Sequence, residues 1–143
     1  MNKTVAFAGH RYDWQNIGVE DKLKKVIKQL VDDGFTTFFN GGHGRFDKIS
    51  AKIVNELKKN NNNLKLVHFL SSYNNKIDKT SMYDYSIYPE LEMFYPKQRI
   101  IKRNEWMIDN CEVLVCHVID ESGSGAYRTL KYAQKKSKRI IRV

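Results

Sequence analysis

The stretch Glu112-Val-Leu-Val-Cys-His-Val118 is followed by Ile119-Asp-Glu-Ser-Gly-Ser-Gly125 and then by Ala126-Tyr-Arg-Thr-Leu-Lys-Tyr-Ala133. The first segment is a short, mostly apolar run rich in valine, which is typical of a strand buried on both faces. The second segment contains two glycines, which permit positive φ angles and let a ligand approach the backbone. The third places alanine and leucine at helical spacing. Together the three segments predict a strand, a tight loop and a helix.

The loop of this stretch has the features of an anion site. A helix that begins directly after a glycine-rich loop presents N–H groups and the positive end of its dipole, and both favour a phosphate or carboxylate. The loop Ser122-Gly-Ser-Gly125 lacks the complete dinucleotide or P-loop fingerprint. Taken alone, it is equally well interpreted as a plain connection whose glycines serve only its geometry.

The size and composition are those of one globular domain. The chain has 143 residues, of which 41% are hydrophobic and 29% charged, so a single domain over residues 1–143 is expected. No apolar run reaches membrane-spanning length and the N-terminus lacks a signal-peptide pattern, so we expect no membrane contact. Cys111 and Cys116 have no metal-ligand spacing, which predicts buried free thiols and agrees with a reducing, cytoplasmic setting.

The charge is strongly basic. The 25 Lys and Arg residues outnumber the 16 Asp and Glu residues, giving a net charge of +9. Such a surplus occurs in nucleic-acid binders, in binders of phosphorylated small molecules and in proteins with neither role. Many of the lysines fall on the polar side of one predicted helix or crowd the C-terminal end, where solvation explains them. The total charge therefore selects no partner.

Four further apolar runs predict the remaining strands. The predicted strands lie near residues 3–8, 35–40, 64–70, 112–118 and 139–142. Segments with helical periodicity separate most of them, and this alternation implies right-handed crossovers and a parallel sheet with helices on both faces. The predicted fold class is therefore α/β, a three-layer α/β/α arrangement with a five-stranded parallel sheet.

Three glycine-bearing loops follow predicted strands at their C-terminal ends, namely Gly9–Arg11, Gly41–Arg45 and Ser122–Ala126. Ligands of such sheets bind at that edge, near the point where the strand order reverses. Three such loops at one edge are harder to explain by geometry alone, which favours a small-molecule or nucleotide site. The candidate ligand- and phosphate-binding residues are Gly9, His10, Arg11, Gly41, Gly42, His43, Gly44, Arg45, Asp47, Arg99, Arg103, Asn104, Ser122, Gly123, Ser124, Gly125 and Ala126.

Arg99 and Arg103 are included because a spacing of four puts both on one side of the predicted helix. A guanidinium group matches phosphate oxygens in two-point geometry. This interpretation predicts that Arg103→Ala weakens nucleotide binding while folding is nearly unaffected. The alternative is a pair of surface salt bridges with Glu105 or Asp109.

The least regular part of the chain runs from Ser71 to Lys97 and is rich in tyrosine. A connection this long inside one domain is usually functional or holds a short element. We interpret it as an ordered flap or a dimer contact, and an irregular crossover packed on the sheet edge is the alternative. Its aromatic residues, together with Trp106, predict a homo-oligomer because contiguous apolar surface usually meets a partner.

Four motifs carry a family resemblance. They are Ala6-Phe-Ala-Gly-His-Arg11, Gly41-Gly-His-Gly-Arg-Phe-Asp47, Arg103-Asn-Glu-Trp-Met-Ile-Asp109, and Ser122-Gly-Ser-Gly125 followed by Tyr132-Ala133. Their order and spacing resemble the SLOG superfamily, which contains the DprA, LOG and YpsA-like proteins, and the similarity is greatest to the YpsA-like branch. The resemblance covers nearly the whole chain. It implies a Rossmann-like domain that binds nucleotides or their derivatives, with phosphate held by Gly123 to Ala126.

One departure from the family bears on catalysis. The similar LOG enzymes, which release a base from a nucleoside monophosphate, carry Gly-Gly-x-Gly-Thr-x-x-Glu in this loop. Here Ala126 stands at the threonine position and Thr129 at the glutamate position. Chemistry at an N-glycosidic carbon needs a carboxylate to stabilise an oxocarbenium-like centre, which Thr129 cannot supply. The sequence therefore favours binding over catalysis, with an enzyme as the alternative.

Other catalytic and metal-binding patterns are weak. The four histidines lack metal-ligand spacing, so no metal and no cofactor are expected. His43 and Asp47 could form an acid–base pair, but a capping role for Asp47 is the simpler interpretation. Three functions compete. The first is a sensor or sequestering protein that binds a nucleotide or nucleotide-derived small molecule, phosphorylated or ADP-ribose-like, at the C-terminal edge of the sheet. The others are a hydrolase or transferase at the N-glycosidic bond and, less favoured, a single-stranded nucleic-acid binder.

Overall fold

The structure is a computed structural model that describes residues 3–10, 18–72, 82–119 and 123–143. Over these residues the chain alternates strands with helices. In chain order the elements are β1 Thr4–Gly9, α1 Val19–Asp32, β2 Thr37–Asn40, α2 Gly44–Lys58, β3 Lys65–Phe69, β4 Tyr85–Ile87, α3 Pro96–Asp109, β5 Val113–His117, α4 Gly125–Lys135 and β6 Arg139–Arg142.

The described strands form one parallel sheet in the order β4-β3-β2-β1-β5-β6. The predicted α/β class with a Rossmann-like, three-layer arrangement is confirmed, but the prediction of five strands is wrong. The additional strand, β4, comes from the segment predicted to be irregular, and it pairs with β3 through Val67 and Tyr85. Its three residues are too few to show an alternating pattern in the sequence.

Strand β1 shows how the two faces of the sheet are covered. Val5 and Phe7 belong to a core with residues of α1 and α2, whereas Ala6 and Ala8 belong to a core with residues of α3 and α4. Successive side chains of a strand point to opposite faces, so a strand that is apolar at every position is buried on both sides. This explains why the apolar runs of the sequence located β1 and β5 correctly.

The strand order reverses beside β1. The chain proceeds outward from β1 through β2, β3 and β4, and then returns to place β5 on the opposite side of β1. Gly9 pairs with His117 at the C-terminal ends of these two strands. In open α/β sheets this switch point is where a crevice forms between diverging loops.

The irregular segment uses part of its aromatic content internally. Tyr83 stacks on His68 with ring centroids 4.5 Å apart, and the Tyr88 hydroxyl accepts a hydrogen bond from the Leu91 N–H at 3.1 Å. Tyr85 and Tyr95 instead expose 50% and 78% of their surface. Residues 73–81, including Tyr73, lie outside the described part of the chain.

Both cysteines are buried free thiols, as the sequence predicted. Burial raises the pKa of Cys111 and of Cys116 to about 11 because the thiolate would lose its hydration. These thiols are therefore core side chains at neutral pH and not nucleophiles. Among the described residues, no helix is both long enough and apolar enough to cross a membrane.

Candidate functional site

A cleft of about 190 Å³ opens at the C-terminal end of β1, between the β2–α2 loop and the start of α4. Its floor is the end of β1, and α3 closes one side. The predicted site residues that line it are Gly9, His10, Gly41, His43, Asp47, Arg103, Asn104, Ser124, Gly125 and Ala126. The three glycine-bearing loops thus contribute to one concave surface.

The remaining predicted residues do not line this cleft. Gly42 and Gly44 belong to the same β2–α2 loop and its junction with α2, where both have positive φ angles. Arg45 is exposed in the first turn of α2, and Gly123 is exposed just before α4. Arg99 is half-buried on α3 and is considered below. Arg11 and Ser122 lie outside the described residues.

The start of α4 lies at the cleft. Ser124 is the N-cap, and its Oγ accepts a hydrogen bond from the N–H of Tyr127 at 3.1 Å. The N–H groups of Gly125 and Ala126 belong to the first turn, where an α-helix has no internal acceptor for them. Both residues line the cleft. The helix dipole adds partial positive charge at the same place.

The opposite wall, the β2–α2 loop, is fixed by two side chains. Asn40 Oδ1 accepts a hydrogen bond from the N–H of Gly42 at 2.7 Å, and its Nδ2 donates to the carbonyl oxygen of Asp47 at 2.8 Å. Asp47 Oδ2 accepts from the backbone N–H of His43 at 3.0 Å. Asp47 therefore caps α2, which supports the simpler of the two interpretations of the His43 and Asp47 pair. Sequence reasoning missed Asn40, although an asparagine directly before Gly-Gly is a known turn signal.

Different physical constraints account for the glycines around the cleft. A Cβ at Gly9 would overlap the Cβ and Cγ of Phe46, and a Cβ at Gly41 would lie 2.9 Å from the guanidinium carbon of Arg103. Packing inside the protein therefore explains these two glycines. Gly125 differs, because nothing lies within 4 Å of the place where its Cβ would be. The absence of a side chain there leaves the helix start open to the cleft.

Arg103 is the most deeply buried charged residue of the site, with 2% of its surface exposed. Its Nη1 donates to the carbonyl oxygens of Gly41 and Phe69, both at 3.0 Å, and its Nε donates to Asn104 Oδ1 at 2.8 Å. The guanidinium group therefore joins the ends of β2 and β3 to α3. This burial is inconsistent with the expectation that folding would be nearly unaffected by Arg103→Ala.

Arg99 has a different environment from Arg103, although the two are one turn apart. Its Nε donates to the carbonyl oxygen of Phe94 at 3.1 Å. The carboxylates proposed as salt-bridge partners have other neighbours: Glu105 lies 3.4 Å from the Nζ of Lys102, and Asp109 lies 3.8 Å from the Nζ of Lys136. Of the two arginines on this side of α3, Arg103 lines the cleft and Arg99 does not.

Two histidines lie at the switch point. His10 Nε2 accepts a hydrogen bond from the N–H of Ile119 at 2.8 Å, which ties the end of β1 to the segment after β5. An accepting Nε2 places the proton of the neutral ring on Nδ1. His117, whose ring centroid is 6.3 Å from that of His10, has its Nδ1 2.7 Å from the carbonyl oxygen of Val143. His117 thus has a structural contact, and His10 lines the cleft.

Four lining residues were not predicted as site residues: Phe7, Ala8, Ile100 and Thr129. The first three give the cleft an apolar part. Thr129 is 7% exposed, and its hydroxyl donates to the carbonyl oxygen of Gly125 at 2.9 Å. The position compared with the LOG glutamate therefore faces the cleft. Only its alignment with the family motif could have marked it in the sequence.

The described lining of the cleft contains one guanidinium group, that of Arg103, and few acidic groups. Among the described residues that line it, Asp47 is the one carboxylate. Within residues 3–10, 18–72, 82–119 and 123–143, no group of three His, Cys, Asp or Glu side chains is placed to hold a metal ion. Arg103 and the α4 N-terminus supply positive charge from two sides.

Several proteins of known structure, including the following three, have the same fold as this chain. DprA from Streptococcus pneumoniae has a TM-score of 0.71 at 16% identity, over 99% of this chain and 50% of that chain. DprA from Helicobacter pylori, which binds single-stranded DNA, has a TM-score of 0.67 at 19% identity. The match covers 97% of this chain and 64% of that chain. The molybdenum cofactor carrier protein of Chlamydomonas reinhardtii has a TM-score of 0.66 at 16% identity. The match covers 99% of this chain and 76% of that chain.

These three proteins share a Rossmann-like fold of the SLOG type. At identities below one fifth, the likeness shows the fold of this chain and not its function. The chain spans about half of the S. pneumoniae DprA and somewhat less than two thirds of the H. pylori protein. The sequence matches no protein-family profile and no curated protein.

Proposed function

We propose that the cleft at the end of β1 binds a nucleotide or nucleotide-derived small molecule, and that the protein acts as a sensor or sequestering protein without turnover. The observation that carries the proposal is the start of α4. There, Gly125 and Ala126 line the cleft together with the buried Arg103, and their first-turn N–H groups have no acceptor within the helix. A phosphate is the ligand group that such a helix start favours most.

The rest of the lining suits the remainder of a nucleotide. Phe7, Ile100 and Ala126 offer apolar surface, and His10, His43 and Asn104 offer polar groups for hydroxyls or a base edge. Apolar surface combined with convergent polar groups is the usual form of a small-molecule site. The fold is compatible with this use, since one structure that shares it is named as a cofactor carrier.

The same lining argues against N-glycosidic chemistry. Thr129 stands at the position where the similar motif of LOG enzymes has glutamate. Its hydroxyl donates a hydrogen bond to the carbonyl oxygen of Gly125. Asp47 is the one carboxylate of the described lining, and it caps α2 through the His43 N–H. A carboxylate held as a helix cap is poorly suited to move to a reacting sugar carbon. We therefore place binding before hydrolysis or transfer.

Three finer assignments belong to this proposal. We propose from the motif order that the chain is a YpsA-like protein, and the buried free thiols support a proposed cytoplasmic location. Self-association is proposed from the exposed apolar side chains around the start of α3, where Met93 and Tyr95 each expose 78% of their surface. Light scattering at high micromolar concentration tests the last point, and a monomer mass would refute it.

A proline at Gly125 tests the phosphate contact. Proline is favoured at the first helical position, and the preceding residue, Ser124, already has the extended conformation that proline requires (φ −64°, ψ 158°). Gly125→Pro removes one proposed phosphate donor while the helix start is preserved. We expect ADP affinity to fall about tenfold or more by calorimetric titration, which is the loss of one charge-assisted hydrogen bond.

The control is Lys131→Ala, which removes an exposed charge from α4 outside the cleft and should leave ADP affinity unchanged. Chromatography of the titrated samples should show intact ADP and no free base. Release of base or ribose phosphate would support the enzyme alternative. Tight, salt-sensitive binding of oligonucleotides without nucleotide binding would support the nucleic-acid alternative. If ADP and a panel of related nucleotides fail to bind wild-type protein, the proposal is wrong.

A further inference from the structure

The β2–α2 loop, which forms one wall of the cleft, packs on a second layer of side chains that do not line the cleft. Asn40 and His68 are register partners in β2 and β3, so their side chains point to the same face of the sheet. A Cβ at Gly42 would lie 2.5 Å from His68 Nε2, which shows that the loop backbone lies directly against this ring. The cleft wall therefore rests on side chains of two neighbouring strands.

Tyr83, from the irregular segment, completes this second layer. Its ring stacks on His68 with centroids 4.5 Å apart and an interplanar angle of 19°. Its hydroxyl donates to Asn40 Oδ1 at 3.4 Å, and the same oxygen accepts the Gly42 N–H at 2.7 Å. Tyr83 thus contacts both of the side chains that touch the backbone of Gly42.

The next residue, Asp84, attaches this part of the chain to the sheet independently of the Tyr83 ring. Its N–H donates to the carbonyl oxygen of Leu66 at 2.9 Å. Its Oδ2 accepts the Leu66 N–H and the Lys58 Nζ, each at 2.7 Å. These three bonds hold the residue before β4 against β3 and α2. The Tyr83 ring is therefore not the anchor of β4, and its contacts serve the β2–α2 loop.

Gly42 occupies the centre of this wall. Its sequence neighbours Gly41 and His43 both line the cleft, so a displacement of Gly42 would move two lining residues at once. His43 also meets the irregular segment directly, because its Nε2 lies 3.5 Å from Ser71 Oγ. The irregular segment therefore contacts the wall of the cleft through residues at two separate points.

We propose that Tyr83 is a positioning residue for ligand binding, which acts through His68 and Asn40 to hold the β2–α2 loop in the conformation that forms the cleft wall. A wall that is ordered before binding loses less conformational freedom when the ligand arrives, and this favours affinity. The inference rests on the proposed function, because its readout is the affinity for ADP. It gives the irregular segment a role in the site although Tyr83 does not line the cleft.

Calorimetric titration with ADP tests the role of the Tyr83 ring. Tyr83→Leu removes the stack on His68 and should weaken ADP binding about tenfold, which corresponds to about 1.4 kcal/mol. Tyr83→Phe keeps the stack and loses only a long hydrogen bond, so its ADP affinity should be within about twofold of wild type. Tyr85→Leu is the matched control. It makes the same change in a side chain that is 50% exposed at the sheet edge, and ADP affinity should be unchanged.

A spectroscopic measurement separates positioning from a general loss of stability. In ¹H–¹⁵N spectra of the ligand-free protein, Tyr83→Leu should shift the Gly42 N–H, whose acceptor Asn40 it releases. The N–H of Gly34, beyond the end of α1, should stay unchanged. Titrations are run where circular dichroism shows each variant to be folded.

If Tyr83→Leu does not fold, hydrogen exchange of the wild-type protein provides the test. Because coupling is reciprocal, saturating ADP should slow exchange of the Gly42 and Asp84 N–H groups about tenfold. The Asn61 N–H, beside the opposite end of β3, should exchange at the same rate with and without ADP. Unchanged exchange at Gly42 and Asp84 would refute the coupling.

The outcomes separate the two proposals. If wild-type protein does not bind ADP, the proposed function fails and this inference fails with it. If wild-type protein binds ADP and Tyr83→Leu binds it equally well, the nucleotide site stands and the role assigned to Tyr83 is refuted. Equal weakening by Tyr83→Leu and Tyr85→Leu, or an unshifted Gly42 N–H, would also refute that role.

Discussion

Replacing Arg103 by alanine is expected to lower the free energy of unfolding by about 2–4 kcal/mol, which is the scale for breaking a buried, hydrogen-bonded charged group. The guanidinium group is 2% exposed and donates to Gly41 and Phe69 at the ends of two neighbouring strands. Without it, both carbonyl oxygens lose a donor and a cavity opens beneath the cleft. Urea denaturation monitored by circular dichroism measures the change.

Arg99→Ala is the matched control, since it removes the same side chain one turn earlier on α3. Arg99 is half-buried and makes one described hydrogen bond, to the Phe94 carbonyl. Arg99→Ala should lower the free energy of unfolding by less than about 1 kcal/mol. Equal destabilisation by the two substitutions would contradict the role assigned to Arg103. Because of this effect on folding, ligand affinity of Arg103→Ala is informative only in conditions where the variant is shown to be folded.

The second large effect is expected from Gly9→Ala. The added Cβ would overlap the inner atoms of the Phe46 side chain, which is fully buried at the start of α2. Those atoms cannot move without displacing the helix. We therefore expect the free energy of unfolding to fall by about 1–3 kcal/mol or more, which is the usual effect of overpacking. Thermal and urea unfolding of the purified variant provide the measurement.

Two further variants sharpen this result. Gly125→Ala also adds one methyl group near the cleft, but in open space and in a helix, so it should be neutral or slightly stabilising. The double variant with Gly9→Ala and Phe46→Ala should be no less stable than Phe46→Ala alone, because the overlap is then absent. If Gly9→Ala is as stable as wild type, the packing explanation for this glycine is wrong.

The sequence located five of the six described strands, and its clearest pattern is in β1 and β5, two inner strands that are buried on both faces. Their apolar runs, residues 5–8 and 113–116, send successive side chains alternately into the two cores. β4 was missed because it is a three-residue edge strand whose first residue, Tyr85, is half exposed. Such a strand is specified by pairing with β3 rather than by its own pattern.

The convergence of the loops could be predicted because the C-terminal ends of parallel strands meet at one edge. The roles of the individual residues in these loops could not be predicted from the sequence. Gly9 and Gly41 looked like ligand-contacting glycines, but side chains distant in sequence, Phe46 and Arg103, account for them. The sequence predicts Arg103 to bind phosphate, or alternatively to form a surface salt bridge, and only tertiary packing shows that it reaches two strand ends. No local pattern carries that information.

The most direct test of the central claim observes the backbone N–H groups of α4 during titration with ADP. In two-dimensional ¹H–¹⁵N spectra, we predict saturable shifts for Gly125 and Ala126 that are among the largest in the protein, with Gly34, beyond the end of α1, unchanged. Shifts confined to the lysine-bearing surface of α1, with Gly125 and Ala126 unmoved at saturation, would contradict a phosphate site at the start of α4.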